Sequence, residues 1–143
     1  MIIVVYVAAF LLLAVSALHV YWAIGGRWGS SAALPAKPGS ARPLFVPRLP
    51  ETIGVAVVLA ALSVVLLIQA GEVPSIAENG LTRWGVGIAA GVFALRVVGD
   101  FRYLGLFKRI KGTSFAYWDS RLYIPLCLYL AVACGGAVWF LHE

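Results

Sequence analysis

Charge is scarce in this sequence, and that scarcity excludes a soluble globular domain. Of 143 residues, 11 are Lys or Arg and six are Asp or Glu, a 12% charged fraction where soluble domains carry about a quarter. Histidine occurs only at 19 and 142, in segments expected at opposite membrane faces, so haem held by two histidines of one chain is set aside. Cysteine occurs only at 127 and 134. Seven residues of helix separate them by about 10 Å of rise, too far for a disulfide, and they read as small apolar residues. The GGRWG run at 25–29 lacks the Gly-Lys-Ser/Thr ending of a phosphate loop and reads as a helix stop with an interfacial tryptophan.

What the sequence does have is apolar length. It is 62% hydrophobic with a mean hydropathy of +0.95. Four segments, 2–24, 52–70, 84–103 and 121–141, are long and apolar enough to cross a bilayer. They predict an all-α integral membrane protein of one domain, 1–143, with four transmembrane helices in two hairpins forming a bundle. The loops 25–51 and 104–120 join each hairpin at one end. The first contains five prolines and no helical periodicity, so it reads as an irregular ordered loop. No Lys or Arg precedes the first apolar run, which therefore reads as a retained helix and not a signal peptide.

Loop charge sets the expected orientation. Arg27, Lys37, Arg42 and Arg48 lie in the first loop and Arg102, Lys108, Arg109 and Lys111 around the second, against Arg83 with Glu72 and Glu78 between the middle helices. Cationic loops stay in the cytoplasm, so both termini should face outward. The net charge of +5 is then a topology signal, with attraction to membrane lipids as its consequence, and it calls for no nucleic acid. Gly87 and Gly91 form a small-residue pair, as do Thr52, Ala56 and Ala60. Close helix packing within the chain is expected from them, with a homodimer contact through Gly87 and Gly91 as the alternative.

The two hairpins share a plan at their loop ends, although no run of identities supports a duplication. His19, Tyr21 and Trp22 precede GGRWG and then Glu51; Arg96, Asp100, Arg102 and Tyr103 precede Gly105 and then Asp119. Arg96 lies twelve residues beyond Trp84, about 18 Å into a hydrocarbon core of about 30 Å. Asp100, four residues on, shares its helix face, so the two are expected to pair. Every helix contributes to this level: His19, Glu51, Arg96 with Asp100, and Asp119, Arg121 and Tyr123. In a bundle they would converge on one pocket at the cytoplasmic end.

Each member also has a plainer role. Glu51 and Asp119 suit helix N-termini, Arg102 and Arg121 stand near enough to the interface to snorkel, and Arg96 with Asp100 suits a structural clamp. As a site, Arg96, Arg102 and Arg121 would hold an anionic lipid head group or an amphipathic small molecule with Tyr123 beside them. His19 with Asp100 or Asp119 would handle protons as catalytic groups, and Glu51 would orient. No ligand pair at i, i+3 or i, i+4 exists among the acids and His19, so no metal is expected, and no cofactor is identified. The run FRYLGLFKRIK at 101–111 interleaves apolar residues with cations, which suits a short surface helix or a plain basic anchor.

The stretches HVYWAIGGRWG at 19–29, Gly99-Asp100 with 108–113, and Phe115-Ala116 followed by Asp119 and YIPL at 123–126 resemble the small bacterial membrane proteins grouped as domain of unknown function 3995. The resemblance covers nearly the whole chain. It implies a four-helix protein of the bacterial cell (inner) membrane and implies no activity. The function expected from the residues is therefore binding, with processing as an extension, of a lipid or amphipathic anionic molecule. A proton-coupled transporter or channel, and a structural or accessory subunit, are the alternatives.

Overall fold

A computed structural model describes residues 1–40 and 42–139. His142 lies outside the described residues. Its helices are α1 (Ile2–Ala23), α2 (Ser30–Ala33), α3 (Leu49–Gln69), α4 (Gly80–Val98), α5 (Ser114–Trp118) and α6 (Ile124–Trp139), with a π-helical turn, Asp119–Tyr123, joining the last two. Among the described residues there is no strand, only an isolated bridge between Ala36 and Pro43. Four helical spans are long and apolar enough to cross a membrane: Ile2–Ala23, Leu49–Gln69, Gly80–Val98 and Ser114–Trp139.

The bundle is built from two hairpins, α1 with α3 and α4 with α6, closed into a ring by α3 against α4 and α6 against α1. α1 buries Val5, Ala8, Ala9, Leu12 and Ser16, the spacing of one helix face, and leaves Ile3, Phe10 and Leu13 exposed on the others. Large apolar side chains cover the outside of all four spans, as at Val57, Ile88, Leu95 and Val132. In water that surface would be an aggregation face; in lipid it is at home. The core proper is small, centred on Val5, Leu12, Leu66, Val86, Leu130 and Cys134.

Hydrocarbon solvent makes polar contacts between helices count. Ser16 donates to the Ala56 carbonyl at 2.7 Å and Ser63 to the Ala9 carbonyl at 2.9 Å, both buried. The two bonds lie seven residues apart on each helix and run in opposite senses, which pins the antiparallel register of α1 on α3. Tyr6 continues the register by donating to Glu72. At the same end, the Thr82 hydroxyl donates to buried Gln69 at 2.8 Å, joining α4 to α3.

Four expectations change. The third span does not run 84–103. It begins four residues earlier, because Asn79 Oδ1 accepts from the Leu81 and Thr82 amides, and it stops at Val98, ahead of Gly99. The fourth begins at Ser114 rather than 121, since Thr113 caps it and the π-helical turn carries it on into α6. A Cβ built at Gly87 or Gly91 meets nothing within 4 Å, so these glycines do not mediate close packing within the chain. The 101–111 run is irregular and forms no surface helix.

Replacing Ser16 and Ser63 together by alanine should lower the unfolding midpoint in mild detergent. The loss should be roughly 1 kcal/mol for the pair, because interhelical bonds in membrane bundles average about 0.6 kcal/mol each. An unchanged midpoint would mean that apolar packing alone sets the α1–α3 register.

Candidate functional site

The loops 25–48 and 99–113 meet at one end of the bundle, called here the basic end. α2 packs on α5, and the Tyr123 hydroxyl donates to the Ala32 carbonyl at 3.1 Å. The polar residues of this end fall into two groups with different chemistry.

The first group surrounds Asp119, which is fully buried. Pro125 has no N–H and its ring would clash with the carbonyl four residues earlier in a regular helix. The wide turn that precedes it relieves the clash, with the Ile124 amide reaching back to the Asp119 carbonyl. Oδ1 of Asp119 accepts from Arg96 Nη2 at 2.7 Å; Oδ2 accepts from Lys108 Nζ at 3.0 Å and from the Gly105 amide at 2.9 Å. Lys108 is buried too, with only 4% of its side chain exposed, and its ammonium also donates to Ser120 Oγ at 2.7 Å and the Gly105 carbonyl at 3.2 Å. One carboxylate between two cations leaves the group with an excess positive charge.

Arg96 therefore pairs with Asp119 and not with Asp100. The expected i, i+4 pair fails because the helix has ended before Asp100. Gly99 and Gly105 lie back to back at φ 85° and 88°, and a Cβ on Gly99 would strike the Leu104 carbonyl. Between them Phe101 also takes a positive φ of 61°. Asp100 Oδ1 holds this turn by accepting from the amides of Arg102, Tyr103 and Leu104 at 2.7–3.0 Å. Partial desolvation pushes its carboxyl up, but the amides of Leu104, Arg102 and Tyr103 outweigh this and hold its pKa below the usual carboxylate value. Asp100 is a loop cap.

The remaining arginines have separate partners. Arg102 lies over the Tyr103 ring at 5.3 Å and Arg121 over the Tyr117 ring at 4.7 Å, both outside the Asp119 group.

The second group lies between α1, the 25–48 loop and α3. It is a cavity of about 420 Å³ whose lining includes His19, Trp22, Leu34, Phe45, Pro47, Glu51 and Val55. The His19 ring meets Trp22 edge to face at 5.2 Å, and its Nδ1 lies 2.8 Å from the Val15 carbonyl. A carbonyl accepts only, so Nδ1 carries the proton and Nε2 of the neutral ring keeps its lone pair. Glu51 Oε2 accepts the Arg48 amide at 2.9 Å, capping α3.

The one pocket expected from the sequence is thus two arrangements: His19 and Glu51 line the cavity, while Arg96 and Asp119 sit in the ion cluster. Lys108 reads in the sequence as a loop charge and as part of the 101–111 run and the 108–113 stretch, and nothing in its neighbours marks it as buried. The proline-rich loop gave no sign that Phe45 and Pro47 would wall a cavity. Among the described residues no group of three or more His, Cys, Asp or Glu comes together that could hold a metal ion.

Four long apolar helices, joined at one end by two basic segments that hold an ion cluster around buried Asp119 and an apolar cavity, define a small polytopic helical membrane protein. The chain belongs to the family described as protein of unknown function (DUF3995), whose model matches residues 12–134 and so includes both arrangements. No curated protein and no solved structure matches the chain.

Replacing Asp119 by Asn should destabilise the protein by on the order of 3–5 kcal/mol, since buried Lys108 and partly buried Arg96 are left without a counter-charge. Lys108→Met should cost less, about 1.5–3 kcal/mol for a charged hydrogen bond, and exposed Lys111→Met should stay within about 0.5 kcal/mol. Thermal unfolding in nanodiscs checks this order; three equal shifts would contradict the assignment.

Proposed function

We propose that this chain binds an amphipathic small molecule in the cavity between α1, the 25–48 loop and α3. One observation carries the reading: at the basic end the cavity is walled by apolar and aromatic side chains, with only His19, Glu51 and a few hydroxyls to orient a guest. Its size lies within the range of small-molecule sites, about 300–1,000 Å³. The ion cluster contributes nothing to the lining and offers a guest little, because every donor of Lys108 and both oxygens of Asp119 are already engaged.

An anionic head group shared by Arg96, Arg102 and Arg121 is the weaker reading. It would have to draw Arg96 from Asp119 and the other two from their tyrosine rings. The loop charges support an orientation with the basic end in the cytoplasm and both termini outside. Placement in a bacterial cell membrane rests on the motif resemblance.

Native mass spectrometry of the protein released from its membranes in mild detergent tests the proposal. The wild-type chain should carry a discrete bound mass; Val55→Trp, which fills the cavity, should lose it, and Asp100→Asn should keep it. A bare polypeptide mass for the wild type, or retention unchanged in Val55→Trp, would contradict it.

A further inference from the structure

The cavity lining has unequal numbers of free donors and acceptors. The Trp22 indole N–H donates to the Trp28 carbonyl at 2.8 Å, the Ser30 hydroxyl to the Arg27 carbonyl at 2.8 Å, and the Thr52 hydroxyl to the Arg48 carbonyl at 3.1 Å. The His19 N–H is engaged by the Val15 carbonyl. Every side-chain donor on the lining is therefore committed within the protein. What stays open to a guest are acceptors: Nε2 of His19, Oε1 of Glu51, and the lone pairs of the two hydroxyls.

Charge points the same way. Glu51 brings a carboxylate to the lining, and the cations of the surrounding loop, Arg27, Lys37, Arg42 and Arg48, do not line the cavity. Among the described residues the ion pairs are those of Asp119 with Arg96 and Lys108, so Glu51 has no cationic partner. Trp22 and Phe45 add two aromatic rings, whose faces attract a cation.

From this we infer that the guest is a primary ammonium amphiphile, an R–NH₃⁺ head on an apolar chain. It rests on the reading of the cavity as a binding site. The ammonium has three donors and no acceptor, the complement of this lining. It bonds Glu51 Oε1 and His19 Nε2, while the chain lies along Leu34, Val46, Pro47 and Val55. A carboxylate or phosphate head would meet the Glu51 charge with no free side-chain donor to compensate.

The test uses the full chain in nanodiscs of phosphatidylcholine, a zwitterionic lipid that favours neither sign of probe. Radiolabelled dodecylamine, dodecanol and dodecanoate are compared in wild type, Glu51→Gln and the cavity-filled Val55→Trp. Dodecylamine should bind wild type at least about tenfold more tightly than dodecanoate, the factor expected from one charge-assisted bond. Glu51→Gln should erase most of that preference. It retains the cap, because the glutamine carbonyl still accepts the Arg48 amide. Equal binding of amine and carboxylate, or a preference unmoved in Glu51→Gln, would overturn the ammonium inference while leaving the cavity as a site. If no probe binds wild type better than Val55→Trp, the cavity reading itself falls and takes the inference with it.

Discussion

The basic end of this protein depends on one buried carboxylate. Asp119 is removed from solvent altogether, and an ionised group in that position is tolerable only if its charge and lone pairs are met from close by. Here they are met from two directions in the chain: by Arg96, at the end of the third span, and by Lys108 and the Gly105 amide, from the loop that follows. The carboxylate thereby ties the loop down onto the start of the fourth span. The turn at Gly99–Gly105 takes backbone angles that ordinary residues avoid, and it is held by Asp100, which collects three of its amides, by Asp119, which takes a fourth, and by the Leu106 amide donating to the Val97 carbonyl.

This arrangement separates charge used for structure from charge offered outward. In the ion cluster both oxygens of Asp119 and all three ammonium donors of Lys108 are consumed, Arg96 Nη1 is buried without a hydrogen-bond partner among the described residues, and two charges of one sign balance one of the other only with the help of Ser120 and backbone groups. The cavity on the α1–α3 side is the converse: few polar groups, its side-chain donors spent, and acceptors left over on His19, Glu51 and two hydroxyls. The α2–α5 contact and the Tyr123 bond to Ala32 hold the two side by side, so the rigid cluster supports the loop whose other surface walls the cavity.

Much of the fold could be read from residue order, because a hydrocarbon solvent leaves few options. Runs of about twenty apolar residues in a chain with so little charge can be satisfied only as spanning helices, and two basic loops pair them into hairpins. That Arg96 and Asp119 share one end of the bundle was legible for the same reason, since both fall at the ends of such runs. The partners were not. Counting four residues on from Arg96 assumes a helix that continues, whereas Gly99 ends it and the π-helical turn ahead of Pro125 re-aims Asp119. Gly99 and Pro125 were the available signs, and each is a backbone effect that hydropathy does not register. The burial of Lys108 depends on a contact with Asp119, eleven residues on across an irregular stretch and α5, which no local pattern encodes.

The most direct measurement is a double-mutant cycle on Arg96 and Asp119, set beside the same cycle on Arg96 and Asp100, with unfolding followed in nanodiscs. Arg96→Met, Asp119→Asn and Asp100→Asn supply the single changes. The account predicts that Arg96 and Asp119 couple by about 1.5 kcal/mol or more, while Arg96 and Asp100 add within about 0.5 kcal/mol. Additive behaviour for Arg96 with Asp119, or strong coupling to Asp100 instead, would contradict it.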